Sequence, residues 1–280
     1  MASAVDLHVH TSASDGKFSP EDVIRKSAAL GLGVIAICDH DTTSGIAPAL
    51  KAARAWPQLR VIPGVEVSTQ TSGSETHILG YFVDLAHPEF KATLASLRDS
   101  RRGRARAMIA KLKALGIHVS WQRVQEIAGG GSIGRPHIAQ TMLENGYITS
   151  FKEAFTRYIG LDGPAYVGRH KITPVEAVAL IIKANGLPVL AHPTTVKDPE
   201  AMIAELKAAG LVGIEVYYNG YSDDERDSLA RLADRYNLIA TGGSDYHGID
   251  DNAETMLGDA NVPEEAAAQL ITRHNSGYPS

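Results

Sequence analysis

Near its start the chain reads Val5-Asp6-Leu7-His8-Val9-His10-Thr11-Ser12-Ala13-Ser14-Asp15-Gly16. In an extended strand alternate side chains share a face, so His8 and His10 project with Asp6 while Val5, Leu7 and Val9 face the other way. Two neutral imidazoles converging at a strand's end suit a borderline divalent metal, and Asp15, on the loop closed by Gly16, comes within reach of the same point. Taken alone, an HxH pair is a weak signal. It gains weight because donors recur at the ends of later strand-like runs: His40 within Asp39-His40-Asp41, Glu66 within Gly64-Val65-Glu66, His77 opening the run that follows, His192 after Val189-Leu190-Ala191, and Asp245 and His247 within Gly243-Ser244-Asp245-Tyr246-His247. Buried acids and imidazoles without partners are costly, so one shared explanation, bound metal, outweighs nine separate ones.

The elements that must position these donors alternate. Ser19-Pro20-Glu21-Asp22 marks a helix start, with Ser19 as the cap and Pro20 at the first helical position. An almost wholly apolar run over residues 33–38 reads as a strand buried on both faces, followed by a helix over 47–56 and strands over 60–67 and 77–83. The alternation breaks over residues 86–163, where helical patterns at 88–115, 132–146 and 150–159 have no clear strand between them. It resumes with helices over 174–184, 199–209 and 223–236, strands over 187–191, 213–217 and 238–241, and a closing helix over 262–274. Such βαβ units predict an α/β fold: a barrel formed by residues 1–85 and 164–280, interrupted by an all-helical insertion, 86–163. Parallel barrels collect the carboxyl ends of their strands on one face, where the donors would meet.

Composition limits the function classes. A chain of 280 residues with 44% hydrophobic and 21% charged residues has an ordinary globular balance. A formal net charge of -5 argues against a broadly basic nucleic-acid-coating surface. Cys38, the single cysteine, sits in an apolar run and reads as a buried thiol. No run approaches the ~20 apolar residues of a membrane span and no leader pattern opens the chain, so the expectation is a cytoplasmic protein with no membrane or obligate protein partner.

The ordered series of HxH, Asp39-His40-Asp41, Gly64-Val65-Glu66, His77, Ala191-His192-Pro193 and Gly243-Ser244-Asp245-Tyr246-His247 resembles the motifs of the PHP (polymerase and histidinol phosphatase) family. The resemblance implies a distorted (β/α)7 barrel with three divalent metal ions. By motif position His8, His10, Glu66 and Asp245 hold one; Glu66, His77 and His192 a second; Asp15, His40 and His247 the third. Many members carry histidine where this chain has Asp15; the harder oxygen donor favours Mn²⁺, with Zn and Fe as alternatives.

Within the insertion, Arg98-Asp99-Ser100-Arg101 and Ile133-Gly134-Arg135-Pro136-His137 resemble the 3′,5′-nucleoside bisphosphate phosphatase and 5′-3′ exoribonuclease branch. Arg98, Arg101, Arg102 and Arg106 span about 140° of a helix, with Arg104 outside that arc. Guanidinium forks bind terminal phosphates, although a charged helix face is commonly only solvated. The resemblance makes Arg98, Asp99, Ser100, Arg101, Arg102 and Arg135, with His170 beyond the insertion, the substrate-binding set. It implies hydrolysis of a nucleotide 3′-phosphate, such as that of adenosine 3′,5′-bisphosphate, by a metal-bridging hydroxide, with Asp245, His192 and His247 as catalytic residues. Asp39 and Asp41 flank His40 and read as supports of the ligands. The rivals are a 5′-3′ exonuclease acting on short 5′-phosphorylated RNA, with Tyr147, Phe151, Phe155, Tyr158 and Tyr166 as stacking candidates; a histidinol phosphatase, which leaves the arginines unused; and a non-catalytic metal- or nucleotide-binding module.

Overall fold

A computed structural model describes residues 4–71, 75–169, 171–218, 220–249 and 256–277. Seven strands follow chain order around one sheet: β1 (Val5–Val9), β2 (Val34–Ile37), β3 (Arg60–Gln70), β4 (Glu75–Tyr81), β5 (Leu187–Leu190), β6 (Gly213–Tyr218) and β7 (Ile239–Gly243). His10 N donates to Tyr246 O at 3.0 Å and Ser244 N to Asp6 Oδ1 at 2.9 Å, drawing the last strand against the first. The barrel is thus nearly closed.

Neighbouring strands are parallel except at β4, which runs antiparallel to both β3 and β5. Among the described residues no helix separates β3 from β4, so the strict strand–helix alternation fails there, and this is the distortion of the (β/α)7 plan. Reversal has a consequence for the site. Ser68 pairs with His77 and Gln70 with Glu75, so the first residues of β4, not its last, lie at the mouth beside the carboxyl end of β3.

Helices α1 (Pro20–Ala29) and α2 (Ile46–Ala53) cover the first strands. Ser19 caps α1 as expected, its hydroxyl accepting from Asp22 N at 3.1 Å. The insertion comprises α3 (Pro88–Ala114), α4 (Trp121–Ile127), α5 (Arg135–Glu144) and α6 (Phe151–Ala154), the last continuing into a π-helical turn, Phe155–Ile159. Then come α7 (Pro174–Lys183), α8 (Pro199–Ala208), α9 (Asp223–Arg235) and α10 (Glu264–Asn275). Helix α3 serves two cores. Its Phe90, Leu94 and Leu97 pack with Val178 and Ile181 of α7, whereas Met108 and Leu112 join Val124, Ile138, Met142 and Ile159 in a separate cluster within the insertion. Full burial of one such side chain contributes about 1.5–3 kcal/mol, so three are enough to fix the base of α3 to the barrel. Cys38 is buried, its thiol directed at Leu7 O at 3.5 Å.

Candidate metal centre and cationic cluster

All nine donor candidates converge at the barrel mouth. Three groups have donor atoms within 4.8 Å of one another: His10, Asp15, His40 and His247; His8, His10, Glu66 and Asp245; and His40, Glu66 and His77. His192 completes the last, its Nε2 lying 3.1 Å from Glu66 Oε1 and 3.2 Å from His77 Nδ1. Glu66 is central: Oε1 is 2.7 Å from His77 Nδ1, and Oε2 is 2.8 Å from His40 Nδ1 and 3.3 Å from His10 Nε2.

The donor set fits divalent cations. Asp15 Oδ1, His40 Nδ1, Glu66 Oε2, His77 Nε2 and Asp245 Oδ1 are buried yet make no hydrogen bond, although His40 Nδ1 and Glu66 Oε2 are close enough to do so. His77 Nε2 faces Glu75; the other four belong to residues of the three donor groups, where a bound cation would satisfy them. Burial opposes the charge of His10 and His77, but the facing carboxylates outweigh it and raise them to about 10 and about 9. The carboxylates demand positive charge where bound metal would supply it.

Backbone and polar supports hold this arrangement. His192 and Asp245 adopt left-handed φ of 30° and 54°, conformations that L-residues rarely adopt and that mark constrained sites. Asp39 accepts from Thr11 N (2.8 Å), Thr11 Oγ1 (2.7 Å) and Ser14 Oγ (2.6 Å), fixing the loop that carries Asp15. Glu215, a lone acid inside apolar β6, takes His8 Nδ1 at 3.1 Å and His192 N at 2.8 Å. Asp6 ties Ser244 N, Ser244 Oγ and Gly258 N across the barrel seam. Tyr218 donates to Asp245 Oδ2 at 3.0 Å. Glu215 and Tyr218 were not among the sequence candidates; an acid within an otherwise apolar strand was the available signal.

The insertion meets the loop directly. A Cβ on Gly131 would fall 2.5 Å from Ala13 O, and one on Gly134 would fall 2.8 Å from Asp15 Oδ2, so close approach requires glycine at both positions. Beyond Asp15 opens a cavity of about 410 Å³ lined by Lys17, Ile127, Pro136, Gln140 and Phe151, among others.

Beside the donors lies a buried cationic cluster that differs from the expected arc. Arg101 Nε contacts Asp41 Oδ2 at 2.6 Å and its Nη2 contacts Ser68 Oγ at 2.7 Å; Arg169 Nη2 reaches the same Asp41 oxygen at 3.0 Å. Arg98 Nη1 donates to Asp41 O at 3.0 Å. Arg135 Nη2 is 3.3 Å from Glu75 Oε2, and Lys171 pairs with Glu75 Oε1. Arg104, set outside the arc in the sequence reading, is buried here with Nη1 lacking any partner. Burial, reinforced by Arg101, Arg169 and Arg135, pushes Arg104 down to about 9. Arg102 and Asp99 instead face solvent and pair with each other at 3.8 Å, while Arg106 lies 4.8 Å over the Trp121 ring. The reason is the apolar stripe. Leu94, Leu97, Met108 and Leu112 set the inward face of α3, and Arg101 and Arg104 fall on it whereas Arg102 and Arg106 do not. Ser100 is half-buried, and His170 lies outside the described residues. Of the aromatic candidates, Tyr147, Phe155 and Tyr158 pack against the insertion core, Phe151 does so while lining the cavity, and Tyr166 O accepts from Lys111.

The PHP domain profile matches residues 6–119. The chain is 36% identical over 248 residues to the 3′,5′-nucleoside bisphosphate phosphatase of Chromobacterium violaceum, covering 87% of each chain. It is 35% identical over 247 residues to the 5′-3′ exoribonuclease Rnm of Escherichia coli, covering 86% of this chain and 84% of that one. Among solved structures, a Bifidobacterium adolescentis protein provisionally described as a metal-dependent phosphoesterase superposes with a TM-score of 0.90 at 27% identity, over 100% of this chain and 98% of that one. Barrel, donor set and relatives define a metal-dependent phosphoesterase. The chain belongs to the PHP family. No described helix is long and apolar enough to cross a membrane.

Proposed function

We propose that the chain hydrolyses the 3′-phosphate of nucleoside 3′,5′-bisphosphates, with residues 1–85 and 164–280 holding three metal ions and residues 86–163 forming a substrate-binding lid. The observation that carries this reading is the pairing of two anion-seeking sites: the nine-donor centre and, joined to it through Glu75 and His77, a cluster in which the five cations Arg101, Arg104, Arg135, Arg169 and Lys171 gather around the carboxylates of Asp41 and Glu75. A substrate with two phosphates satisfies both. The name of the Chromobacterium violaceum relative agrees with it.

His8, His10, Glu66 and Asp245 would hold one ion, Glu66, His77 and His192 a second, and Asp15, His40 and His247 a third; the oxygen donor at Asp15 favours Mn²⁺ over Zn or Fe. Ions held there supply an activated water and neutralise charge on the phosphoryl oxygens. Water's oxygen adds to phosphorus, the P–O3′ bond breaks, and the 3′ oxygen takes a proton, releasing inorganic phosphate and the nucleoside 5′-phosphate. His192 and His247, both partly exposed, serve that proton transfer, and Asp245, tied to His10 and Tyr218, orients the centre. Arg101, Arg104 and Arg135 grip the 5′-phosphate, with Arg98 bracing Asp41. A histidinol phosphatase would leave this cluster without a ligand.

A second reading, 5′-3′ trimming of RNA, is favoured by the cavity beside Asp15, whose 410 Å³ and Phe151 wall suit a further nucleoside attached to the scissile phosphate. Product analysis separates the two. With Mn²⁺-loaded enzyme, adenosine 3′,5′-bisphosphate should give 5′-AMP and phosphate while a short 5′-phosphorylated RNA stays intact; comparable stepwise shortening of the RNA would establish the second reading instead. Histidinol phosphate turned over faster than either would end both.

Arg104→Ala should raise KM for adenosine 3′,5′-bisphosphate at least tenfold with kcat changed little, because a charge-assisted contact worth about 1.5–3 kcal/mol is lost in binding. Arg135→Ala should behave alike. For adenosine 3′-monophosphate, which lacks the 5′ group, neither variant should alter KM. Equal loss on both substrates would remove these residues from the 5′ subsite.

A further inference from the structure

Glu75 stands where the two halves of the site meet. Its Oε2 takes Arg135 Nη2, its Oε1 pairs with Lys171 Nζ, and that same Oε1 lies 3.8 Å from His77 Nε2. On the opposite side of the imidazole, Nδ1 lies 2.7 Å from Glu66 Oε1 and 3.2 Å from His192 Nε2. One carboxylate therefore faces three donors, and the imidazole is the one left out: His77 Nε2 is buried with no hydrogen bond. Glu75 and His77 are two residues apart on β4, so their side chains share a face at a fixed spacing. With both cations holding it, Glu75 Oε1 stands 3.8 Å from His77 Nε2, beyond hydrogen-bond length.

We propose that Glu75 is a positioning residue that couples phosphate binding in the cationic cluster to metal binding through His77. The inference rests on the reading that the cluster takes the substrate's 5′-phosphate. An arriving phosphate offers Arg135 and Lys171 a dianion with three acceptor oxygens, and both cations transfer to it. The released Glu75 carboxylate accepts the Nε2–H of His77, which fixes the tautomer whose Nδ1 lone pair faces Glu66 and His192. No covalent bond changes; only hydrogen-bond partners are exchanged. A ligating histidine anchored through its far nitrogen by a carboxylate gains about 10–100-fold in metal affinity, and by linkage metal binding must tighten the 5′-phosphate by the same factor. The substrate's own 5′ end would then complete the centre that attacks its 3′ end.

The experiment is a Mn²⁺ titration of the metal-stripped full chain, followed by the electron paramagnetic resonance of free Mn²⁺, alone, with 5′-AMP, and with adenosine as the phosphate-free control. In the wild type, 5′-AMP should tighten the weakest Mn²⁺ site by about tenfold and adenosine should not. In Glu75→Gln, whose side chain is 23% exposed so that water can reach the cations it releases, and in Glu75→Ala, the 5′-AMP effect should shrink to less than twofold. The kcat advantage of adenosine 3′,5′-bisphosphate over adenosine 3′-monophosphate should collapse in parallel. An undiminished 5′-AMP effect in both variants would overturn the proposal, since the phosphate would then act on the metals without Glu75. So would a wild type that binds 5′-AMP, shown by competitive inhibition, without any change in Mn²⁺ affinity. Failure of the underlying reading looks different: 5′-AMP would not inhibit, and the two substrates would be turned over alike.

Discussion

Glu66→Ala should reduce kcat/KM for adenosine 3′,5′-bisphosphate on the order of a thousandfold or more, with loss of bound metal. Glu66 contacts five imidazoles: its Oε1 meets His77 and His192, and its Oε2 meets His40, His10 and, at 3.4 Å, His8. Burial opposes ionisation of Glu66, yet the surrounding imidazoles outweigh it and hold the carboxyl well below the usual range. Its truncation leaves five imidazoles around a neutral gap, and two donor groups lose their shared oxygen. Metal-derived stabilisation of a phosphoryl transition state is worth several kcal/mol, and a thousandfold corresponds to about 4 kcal/mol. Elemental analysis of the dialysed variant alongside its turnover provides the check. Glu66→Gln, which keeps one oxygen donor, should fall between wild type and alanine. Full metal content with activity above a tenth of wild type in Glu66→Ala would show that the carboxylate does not bridge the groups.

What the chain discloses in one dimension is governed by how local each constraint is. The donors were legible because metal ligation needs particular residue types at strand ends, and strand ends are announced by short apolar runs such as 33–38 and 187–191. Orientation was not. That β4 runs backwards depends on its pairing with β3 and β5, which only the assembled sheet decides, so a strand read as opening at His77 gave no reason for its first residues to lie at the mouth. The arginines show the same limit. A 100° helical wheel places Arg98, Arg101, Arg102 and Arg106 together, but which arc faces inward is set by what Leu94, Leu97 and Met108 pack against, and that choice turned Arg104 in and Arg102 out. Short α4 escaped notice because its seven residues bury only Val124, too little for a periodic pattern. Glu75 and Glu215 lacked a motif altogether; Arg135, which pairs with the first, and His8, which pairs with the second, lie 60 and 207 positions away in the chain.

Asp41→Asn should destabilise the fold by about 3–5 kcal/mol, the cost of removing one partner from a buried ion pair. Asp41 is buried and holds two guanidiniums at once, those of Arg101 and Arg169, from the insertion helix and from the segment leading back to the barrel, while its carbonyl takes Arg98. Asparagine isolates the charge. It tolerates the left-handed φ of 53° found here and can still accept from Ser68 N, so backbone strain and the loss of that bond are excluded as causes. Without the carboxylate, Arg101 and Arg169 join Arg104 as uncompensated buried cations, and their mutual repulsion opens the seam between barrel and insertion. The pH dependence follows in sign. Burial raises the Asp41 carboxyl, but Arg101 and Arg169 overcome this and hold it below its ordinary 3.8. The stabilisation is therefore complete above that value and is lost as pH falls through it toward the depressed folded value. Denaturant melts of wild type and Asp41→Asn at pH 7 and near pH 3 should show a large gap at neutrality that narrows in acid, because protonation removes from the wild type what the substitution removes at every pH. A gap below about 1 kcal/mol at pH 7 would mean that water, not Asp41, compensates these arginines, and the cationic cluster would lose its claim to be a dry, charge-hungry phosphate site.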